Sequence, residues 1–342
     1  MASSLLLGSL YRTRGMELKG LIFTSQITIA LAGLAIASAV ALNFSSSEEV
    51  NQPMPQHPPL TNNSPKPTPS PHPSVTKSAA TEEKERFQQI VNKAIAQQLP
   101  QQPMADIMQS IASSFLGTPY QANLLDRSDP ETLVVTLKAF DCVLFIETVL
   151  AIARGIAVQD YSYDTFSDRL REQRYENGQI NGYCSRLHYF SAWINENQER
   201  GTVANITGDL GGISLVKPLN FMTQHRQNYP QLATNEANYQ CMVNIEAHLK
   251  DLTINYIPTN QIHHTYPQLQ PGDIIGVATN IPGLDVTHTG LAYRQPDGTI
   301  GLIHASPAGS VRIARDLQQH VKKVDRAIGI IVARPLPPVT NN

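Results

Sequence analysis

The hydrophobic pattern changes in the last third of the chain, and this change restricts the fold class. Five short apolar runs, "GDIIGVA", "HTGLAYR", "TIGLIHAS", "SVRIA" and "AIGIIVARPL", follow one another between turn signals. Pro296-Asp297-Gly298 separates the second run from the third and predicts a hairpin. Strands this short and closely spaced predict a curled, mainly antiparallel sheet or a small barrel.

Helical periodicity precedes these strands. "EEKERFQQIVNKAIAQQL" and "MADIMQSIASSFLGTPY" predict two amphipathic helices, and "TLVVTL" predicts a short strand. The run after Cys142 is apolar on nearly all sides and predicts a buried helix, and "RLHYFSAWINENQ" predicts a further one. Helices followed by strands indicate an α+β domain in which the helices pack on the sheet.

The N-terminal residues predict a membrane or export segment. Arg12, Arg14 and Lys19 precede about 25 residues without a charge, which as a helix of roughly 37 Å would cross a bilayer. The basic flank predicts that the remainder faces away from the cytoplasm. Residues 1–44 are therefore interpreted as a retained signal anchor or a cleaved signal peptide. Either interpretation predicts a bacterial envelope protein, periplasmic or extracytoplasmic, that meets the membrane through this segment.

Composition divides the rest of the chain. Residues 45–81 are rich in Pro, Ser, Thr and Asn and predict a disordered, semi-stiff linker, because they have too few apolar side chains to form a core. Residues 82–335 have a globular composition, and residues 336–342 form a tail. A net charge of −2 and the absence of a basic stripe exclude a nucleic-acid partner. The oligomeric state is left open.

Cys142 stands at the start of the buried helix, directly after Asp141. Backbone N–H groups and the helix dipole at such a position stabilise a thiolate and an oxyanion formed beside it. A nucleophilic thiol needs a base and a residue that orients the base. His288 in "DVTHTG" and His304 in "LIHAS" flank the predicted hairpin within about one residue of register. If the loop has an odd number of residues, the two imidazoles share a face, and we predict that they do.

Six segments, "LGTPY", "FDCVLFIE", "RLHYFSAWI", "NFMTQH", "GDIIGVATNIPGLDVTHTGLAY" and "LIHASP", together resemble a known family. It is the N-acetylmuramoyl-L-alanine amidase-like branch of the NlpC-type, papain-like cell-wall hydrolases, and the resemblance covers roughly residues 115–334. It implies a papain-like α+β fold and peptidoglycan or muropeptide substrates. It also implies a triad with Cys142 as nucleophile, His288 as base and His304 as the orienting residue. Catalysis would pass through a thioester that water hydrolyses.

Three further residues are candidates for substrate contact. Tyr120, after Gly117-Thr118-Pro119, is expected beside the nucleophile, where its hydroxyl could hold the tetrahedral oxygen. Arg186 and His188 are expected in a wall of the cleft, with Arg186 meeting a substrate carboxylate. Packing is the alternative for all three. Asp141 is expected to cap the helix rather than to react.

No cofactor and no metal site are expected. His263-His264 lacks further ligands at suitable spacing, so a polar loop is preferred and a zinc amidase is disfavoured. Cys184 and Cys241 could form a disulfide in an oxidising compartment. The expected activity is cleavage of the amide between N-acetylmuramic acid and L-alanine. The alternatives are a stem-peptide endopeptidase with the same triad and a non-catalytic peptidoglycan-binding module.

Overall fold

The computed structural model describes residues 79–127, 130–250 and 252–339. The predicted membrane or signal segment, residues 1–44, lies outside them, as do most of the predicted linker and the end of the tail. The first described helix begins at Ala79, three residues before the predicted start of the domain. Across the described ranges, no helix has the length and apolar character needed to span a membrane.

The described residues form nine α-helices and eight β-strands. The helices are α1 (Ala79–Ala96), α2 (Met104–Ser113), α3 (Cys142–Ala157), α4 (Tyr163–Arg174), α5 (Phe190–Glu199), α6 (Phe221–Gln224), α7 (Pro230–Ala233), α8 (Glu236–Leu249) and α9 (Leu317–Lys323). The strands are β1 (Val203–Asn205), β2 (Ile213–Leu215), β3 (Ile254–Pro258), β4 (Ile274–Thr279), β5 (Val286–Arg294), β6 (Ile300–Ala305), β7 (Val311–Ala314) and β8 (Ala327–Pro335).

All eight strands join one antiparallel sheet in the order β2-β3-β8-β4-β5-β6-β7, and β1 pairs with β8. The five apolar runs of the last third are β4 to β8, so the predicted α+β class with an antiparallel sheet is confirmed. The pairing path is open among the described strands, with β2 at one end and β7 at the other. Pairing therefore favours the sheet over the small barrel.

Each face of the sheet is covered by different elements. Leu291 of β5 and Ile303 of β6 belong to the larger core, which also contains the buried side chains of α1 to α5. Ala292 and Leu302, their neighbours along the same strands, belong to a second core with Leu317 of α9. The alternation follows from the two-residue repeat of a strand. α3 thus packs on one face and α9 on the other, and the hairpin of β5 and β6 lies between them.

Two predicted elements differ from the structure. Residues 132–137, the run "TLVVTL", form no strand. Side chains satisfy part of this backbone instead: Glu83 accepts from the N–H of Leu137 at 2.7 Å, and Arg174 donates to the carbonyl of Val134 at 2.7 Å. The helix predicted from Arg186 begins only at Phe190, so the expected helical spacing of Arg186 and His188 was wrong.

Candidate functional site

Cys142 is the first residue of α3, the helix at the centre of the larger core. Asp141 caps the helix, because its side chain accepts a hydrogen bond from the N–H of Leu144 at 2.8 Å. This confirms the expected capping role of Asp141. Most of α3 is buried, whereas Cys142 itself is partly exposed. The fold therefore presents one thiol at the capped end of a helix that is mostly closed to solvent.

The surroundings of Cys142 favour the neutral thiol. Desolvation by the surrounding protein, and after it the nearby Asp141 carboxylate, raise the pKa of the Cys142 thiol to about 11. Hydrogen bonds from the backbone and side chain of Thr289 on β5 lower the pKa of the thiol. These bonds place Thr289 beside Cys142. The helix N-terminus alone therefore does not hold a thiolate at neutral pH. Deprotonation of Cys142 requires a base.

The predicted base and its orienting residue meet across the β5–β6 hairpin. Leu291 pairs with Ile303, and continuing this antiparallel register places His304 opposite Gly290. His288 and His304 consequently share a face, as predicted, although they lie two residues apart in register rather than one. The Nε2 atom of His288 lies 2.6 Å from the Nδ1 atom of His304. Both side chains are buried.

Two local features make this contact possible. Val277 of β4 pairs with His288 while Ala278 pairs with Val286, so the strand has a β-bulge directly before His288. Such bulges redirect a neighbouring side chain. Gly290 supplies the space, since a Cβ atom there would lie 2.9 Å from the Cβ atom of His304. The His-x-Gly spacing in "HTGLAY" is thus explained by the room that the His304 side chain needs.

The contact also restricts where the protons lie. One nitrogen of the pair donates and the other accepts, and if Nε2 of His288 donates, its Nδ1 atom keeps a lone pair. Burial, and after it the neighbouring His320, lower the pKa of His288 to about 4. Burial, together with His288, His320 and Arg312, lowers the pKa of His304 to about 3. Both imidazoles are neutral at pH 7, the state in which one of them can accept a proton.

Tyr120 lies close to the thiol. Its segment runs beside the residue that precedes the α3 cap: Gln121 donates its N–H to the carbonyl of Phe140 at 2.9 Å, and Phe140 donates to Pro119 at 3.0 Å. Burial, then the charges of Cys142 and Asp141, raise the pKa of Tyr120 to about 12. The phenol therefore keeps its proton and can donate a hydrogen bond.

Comparison with known proteins agrees with this geometry. A family model described as AmiA-like, N-acetylmuramoyl-L-alanine amidase-like, matches residues 110–330, well over half of the chain. The chain belongs to this family. The matched range begins within α2 and ends within β8, so it includes the nucleophile candidate and both hairpin histidines. No curated protein matches closely enough to count as a relative of this amidase-like chain.

Solved structures resemble the amidase-like domain over nearly their whole length. Two crystal structures of an N-acetylmuramoyl-L-alanine amidase from Bacteroides uniformis ATCC 8492 are 34% identical to this chain, with TM-scores of 0.65 and 0.64. Each match covers 68% of this chain, and 99% and 98% of the other chain, respectively. A protein from Legionella pneumophila str. Philadelphia 1 has a TM-score of 0.57 at 23% identity, covering 76% of this chain and 97% of its own. That likeness concerns the fold alone.

Arg186 and His188 of the amidase-like domain lie among protein partners. The guanidinium of Arg186 donates to Asp126 at 2.6 Å and to the carbonyl of Leu125 at 2.8 Å. His188 Nε2 lies 2.9 Å from the carbonyl oxygen of Tyr183. Burial, and after it Arg186, lower the pKa of His188 to about 3. Because Asp126 follows Tyr120 closely in the chain, Arg186 anchors the segment that carries the tyrosine.

One residue of this site was missed by the sequence analysis. His320 of α9 reaches the hairpin from the far face of the sheet, with its ring centroid 4.6 Å from that of His304 and 6.2 Å from that of His288. Its signal was the spacing of Leu317, His320 and Val321, which places the histidine on the buried face of α9. Nitrogen atoms of these three histidines lie close enough together that they could hold a metal ion. The expectation that the chain has no metal site stays a prediction.

Two other cysteine and histidine pairs lie elsewhere. Cys184 and Cys241 are joined by a disulfide, which leaves Cys142 as the free cysteine. This disulfide ties the 3₁₀ turn before Arg186 to α8. His263 and His264 lie in a polar 3₁₀ turn, Ile262–Thr265, and belong to no group of ligands among the described residues.

Proposed function

We propose that this amidase-like protein is a cysteine-dependent N-acetylmuramoyl-L-alanine amidase. It would hydrolyse the amide between N-acetylmuramic acid and L-alanine in peptidoglycan or in muropeptides. Membership of the amidase-like family and the name of the Bacteroides relative support the reaction class. The cysteine dependence rests on the residues of this chain.

The 2.6 Å contact between His288 and His304 is the observation that carries the proposal. It engages Nε2 of His288 and leaves Nδ1 available to accept a proton. His288 lies on β5, the strand that also carries Thr289, whose polar groups act on the thiol of Cys142. The pair therefore supplies a neutral base, held in one orientation, on the strand beside a protonated nucleophile.

The reaction follows in balanced steps. Nδ1 of His288 takes the proton of Cys142 as Sγ forms a bond to the amide carbonyl carbon. The hydroxyl of Tyr120 and the backbone N–H of Cys142 at the start of α3 hold the resulting oxyanion, since Asp141 already accepts from Val143 and Leu144. The C–N bond breaks as the imidazolium returns the proton to the amine of L-alanine, leaving a thioester. Water, deprotonated by His288, then hydrolyses the thioester and restores the thiol.

The mechanism assigns other roles to Arg186 and His188 than direct contact with substrate. Arg186 already pairs with Asp126, and its other nitrogen lies 3.8 Å from Glu131, so its charge is compensated by the protein. We propose that Arg186 holds the segment of Tyr120 in place and that His188 supports Arg186 through its contact with Tyr183 of the 3₁₀ turn. Contact of either residue with a substrate carboxylate remains a prediction.

The fold and location are proposed from the sequence. We propose that the domain is papain-like and of the NlpC type, with the nucleophile on a helix and the base on a sheet. Residues 1–44 would anchor or export the protein, and residues 45–81 would hold the domain away from the membrane. The enzyme would then work in the bacterial envelope, on the side where peptidoglycan lies.

The test uses the full-length chain with defined muropeptides and identifies the products by mass spectrometry. We expect a free sugar product and a peptide that begins with L-alanine, both absent with Cys142→Ala. If the products are shortened stem peptides, the enzyme is instead an endopeptidase with the same triad. Binding of muropeptides and sacculi without turnover would identify a non-catalytic module. Turnover by Cys142→Ala at the wild-type rate would overturn the cysteine mechanism.

A further inference from the structure

His288, His304 and His320 form a compact cluster of imidazoles where the β5–β6 hairpin meets α9. One nitrogen of each ring lies within 4.8 Å of the corresponding nitrogens of the other two, and within the described ranges these residues form the one group of histidine, cysteine or carboxylate side chains placed this way. The Nε2 atom of His320 is buried and has no hydrogen-bond partner. The proposed reaction uses two of the three rings and leaves this lone pair unexplained.

Three imidazoles converging from separate elements are a ligand set for a divalent transition metal. Zn²⁺ accepts three histidine nitrogens at about 2.0 Å and keeps its fourth position for water. Tetrahedral bonds of that length separate two ligand nitrogens by about 3.3 Å. The 2.6 Å contact between His288 and His304 would open slightly, and His320 would approach by at most about 1.5 Å from the 4.8 Å limit. Side-chain rotation accounts for shifts of this size.

The cluster adjoins a cavity on the side of α9 through one of its three rings, that of His320. A cavity of about 350 Å³ lies there, lined by Asp316, Gln319, His320 and Lys323 among others. The cavity is open enough for a hydrated ion. Its lysine, and the nearby Arg312 that acts on His304, place positive charge around the cluster. The site therefore suits reversible binding better than a permanent structural ion.

We propose that His288, His304 and His320 bind Zn²⁺ or a similar divalent transition metal, and that the bound metal inhibits the enzyme. A bond from the metal to Nε2 of His288 moves the proton of that nitrogen to Nδ1. His304 and His320 bind through lone pairs that they already carry, so no proton is lost overall. With Nδ1 protonated, His288 no longer accepts the proton of Cys142. Metal binding stands independently of the proposed function, whereas the inhibition rests on it.

The experiment titrates the full-length chain, without a polyhistidine tag, with Co²⁺ and follows the visible absorption of tetrahedral cobalt. We expect one Co²⁺ per chain, displaced by Zn²⁺. His320→Gln should weaken binding by at least about 100-fold, because even indirect partners of a metal ligand contribute 10- to 100-fold. The double variant H263Q/H264Q, which removes the paired histidines in the 3₁₀ turn, should bind as the wild type does. Circular dichroism of each variant verifies folding.

The outcomes separate the two proposals. Absence of the cobalt absorption in the wild type, or its persistence in folded His320→Gln, would overturn the metal site. If His320→Gln does not fold, His304→Gln replaces it and must lose the absorption.

Hydrolysis of muropeptides should fall on addition of one equivalent of Zn²⁺ and return with a chelator. Hydrolysis that a chelator abolishes would instead indicate a zinc amidase and overturn the inhibition. Cobalt binding without any hydrolysis would support the metal site and overturn the proposed function.

Discussion

Two groups of buried polar side chains, to each of which α3 contributes a residue, differ in charge: one is an ion pair and the other is neutral. Glu147, one turn beyond Cys142, accepts from Arg174 at 2.7 Å and from the indole of Trp193 at 3.1 Å. Arg174 in turn donates to the carbonyl of Val134 at 2.7 Å. Both charged side chains are fully buried. Apart from one guanidinium nitrogen, Nη2 of Arg174, this cluster has a partner for each charged atom.

Cys142 and the histidines of the β5–β6 hairpin and α9 have the opposite character. They are neutral groups whose pKa values have moved away from ionisation, and Nε2 of His320 has no partner. Charges that are paired inside a protein hold elements together, since removing one partner leaves the other buried and uncompensated. Neutral groups with free lone pairs add less to stability and remain available for chemistry. Burial alone therefore does not identify a functional cluster, whereas the charge state of the buried groups separates these two.

The largest expected effect separates stability from activity along this one helix. Glu147→Ala should lower the free energy of unfolding by about 3–5 kcal/mol, because it leaves Arg174 buried without its carboxylate. Cys142→Ala should change it by less than about 1 kcal/mol while abolishing hydrolysis. Urea unfolding and muropeptide turnover measure the two quantities. Glu199→Ala, at an exposed pair with Asn195, should leave both unchanged. Equal destabilisation by Glu147→Ala and Cys142→Ala would remove the distinction.

Tyr120 tests whether the neutral cluster acts on the transition state. Tyr120→Phe removes the hydroxyl that is proposed to hold the oxyanion, and loss of one such donor costs about 10²–10³ in kcat. We expect that fall in kcat with little change in KM. Steady-state hydrolysis of a defined muropeptide measures it, with Tyr293→Phe on β5 as the matched control. A loss confined to KM would assign Tyr120 to ground-state binding.

The charge state of the resting thiol can be measured by alkylation. With the pKa of Cys142 near 11, its reaction with iodoacetamide should accelerate about tenfold per pH unit between pH 7 and 9. Mass spectrometry of the intact chain gives the rate, since the other two cysteines form the disulfide. Cys142→Ala provides the background. A rate that stays constant over this range would show a thiolate–imidazolium pair already formed at rest.

The sequence predicted the parts of the site that depend on local pattern. Cys142 at the start of an apolar helix, and the five strands of the last third, follow from periodicity and turn chemistry. The prediction that His288 and His304 share a face depended on a loop with an odd number of residues. The β5–β6 register confirms it. Their catalytic roles stay predictions.

The rest depends on contacts between residues distant in sequence. Arg186 and Asp126 are 60 positions apart, so no local pattern shows that their charges are paired. His320 lies in a short polar helix, and only the folding of α9 onto the far face of the sheet brings it to His304. The run "TLVVTL" has the composition of a strand, yet the side chains of Glu83 and Arg174 take part of the backbone bonding that a neighbouring strand would provide.

The smallest expected effect concerns acid stability. The pKa of His304 is lowered from 6.5 to about 3, so between these values the unfolded chain binds a proton that the native protein does not. Stability from this group is therefore present above pH 6.5 and is lost as the pH falls. At about 1.4 kcal/mol per pKa unit, the loss between pH 6.5 and 5 amounts to about 2 kcal/mol. Urea unfolding gives the free energy of unfolding at pH 7 and at pH 5. Its fall between these two pH values should be smaller in His304→Gln than in the wild type by about this amount. His225→Gln, at an exposed histidine, should behave as the wild type does. Equal losses in His304→Gln and the wild type would mean that His304 is protonated in the native site, where it could not accept the hydrogen bond that orients His288.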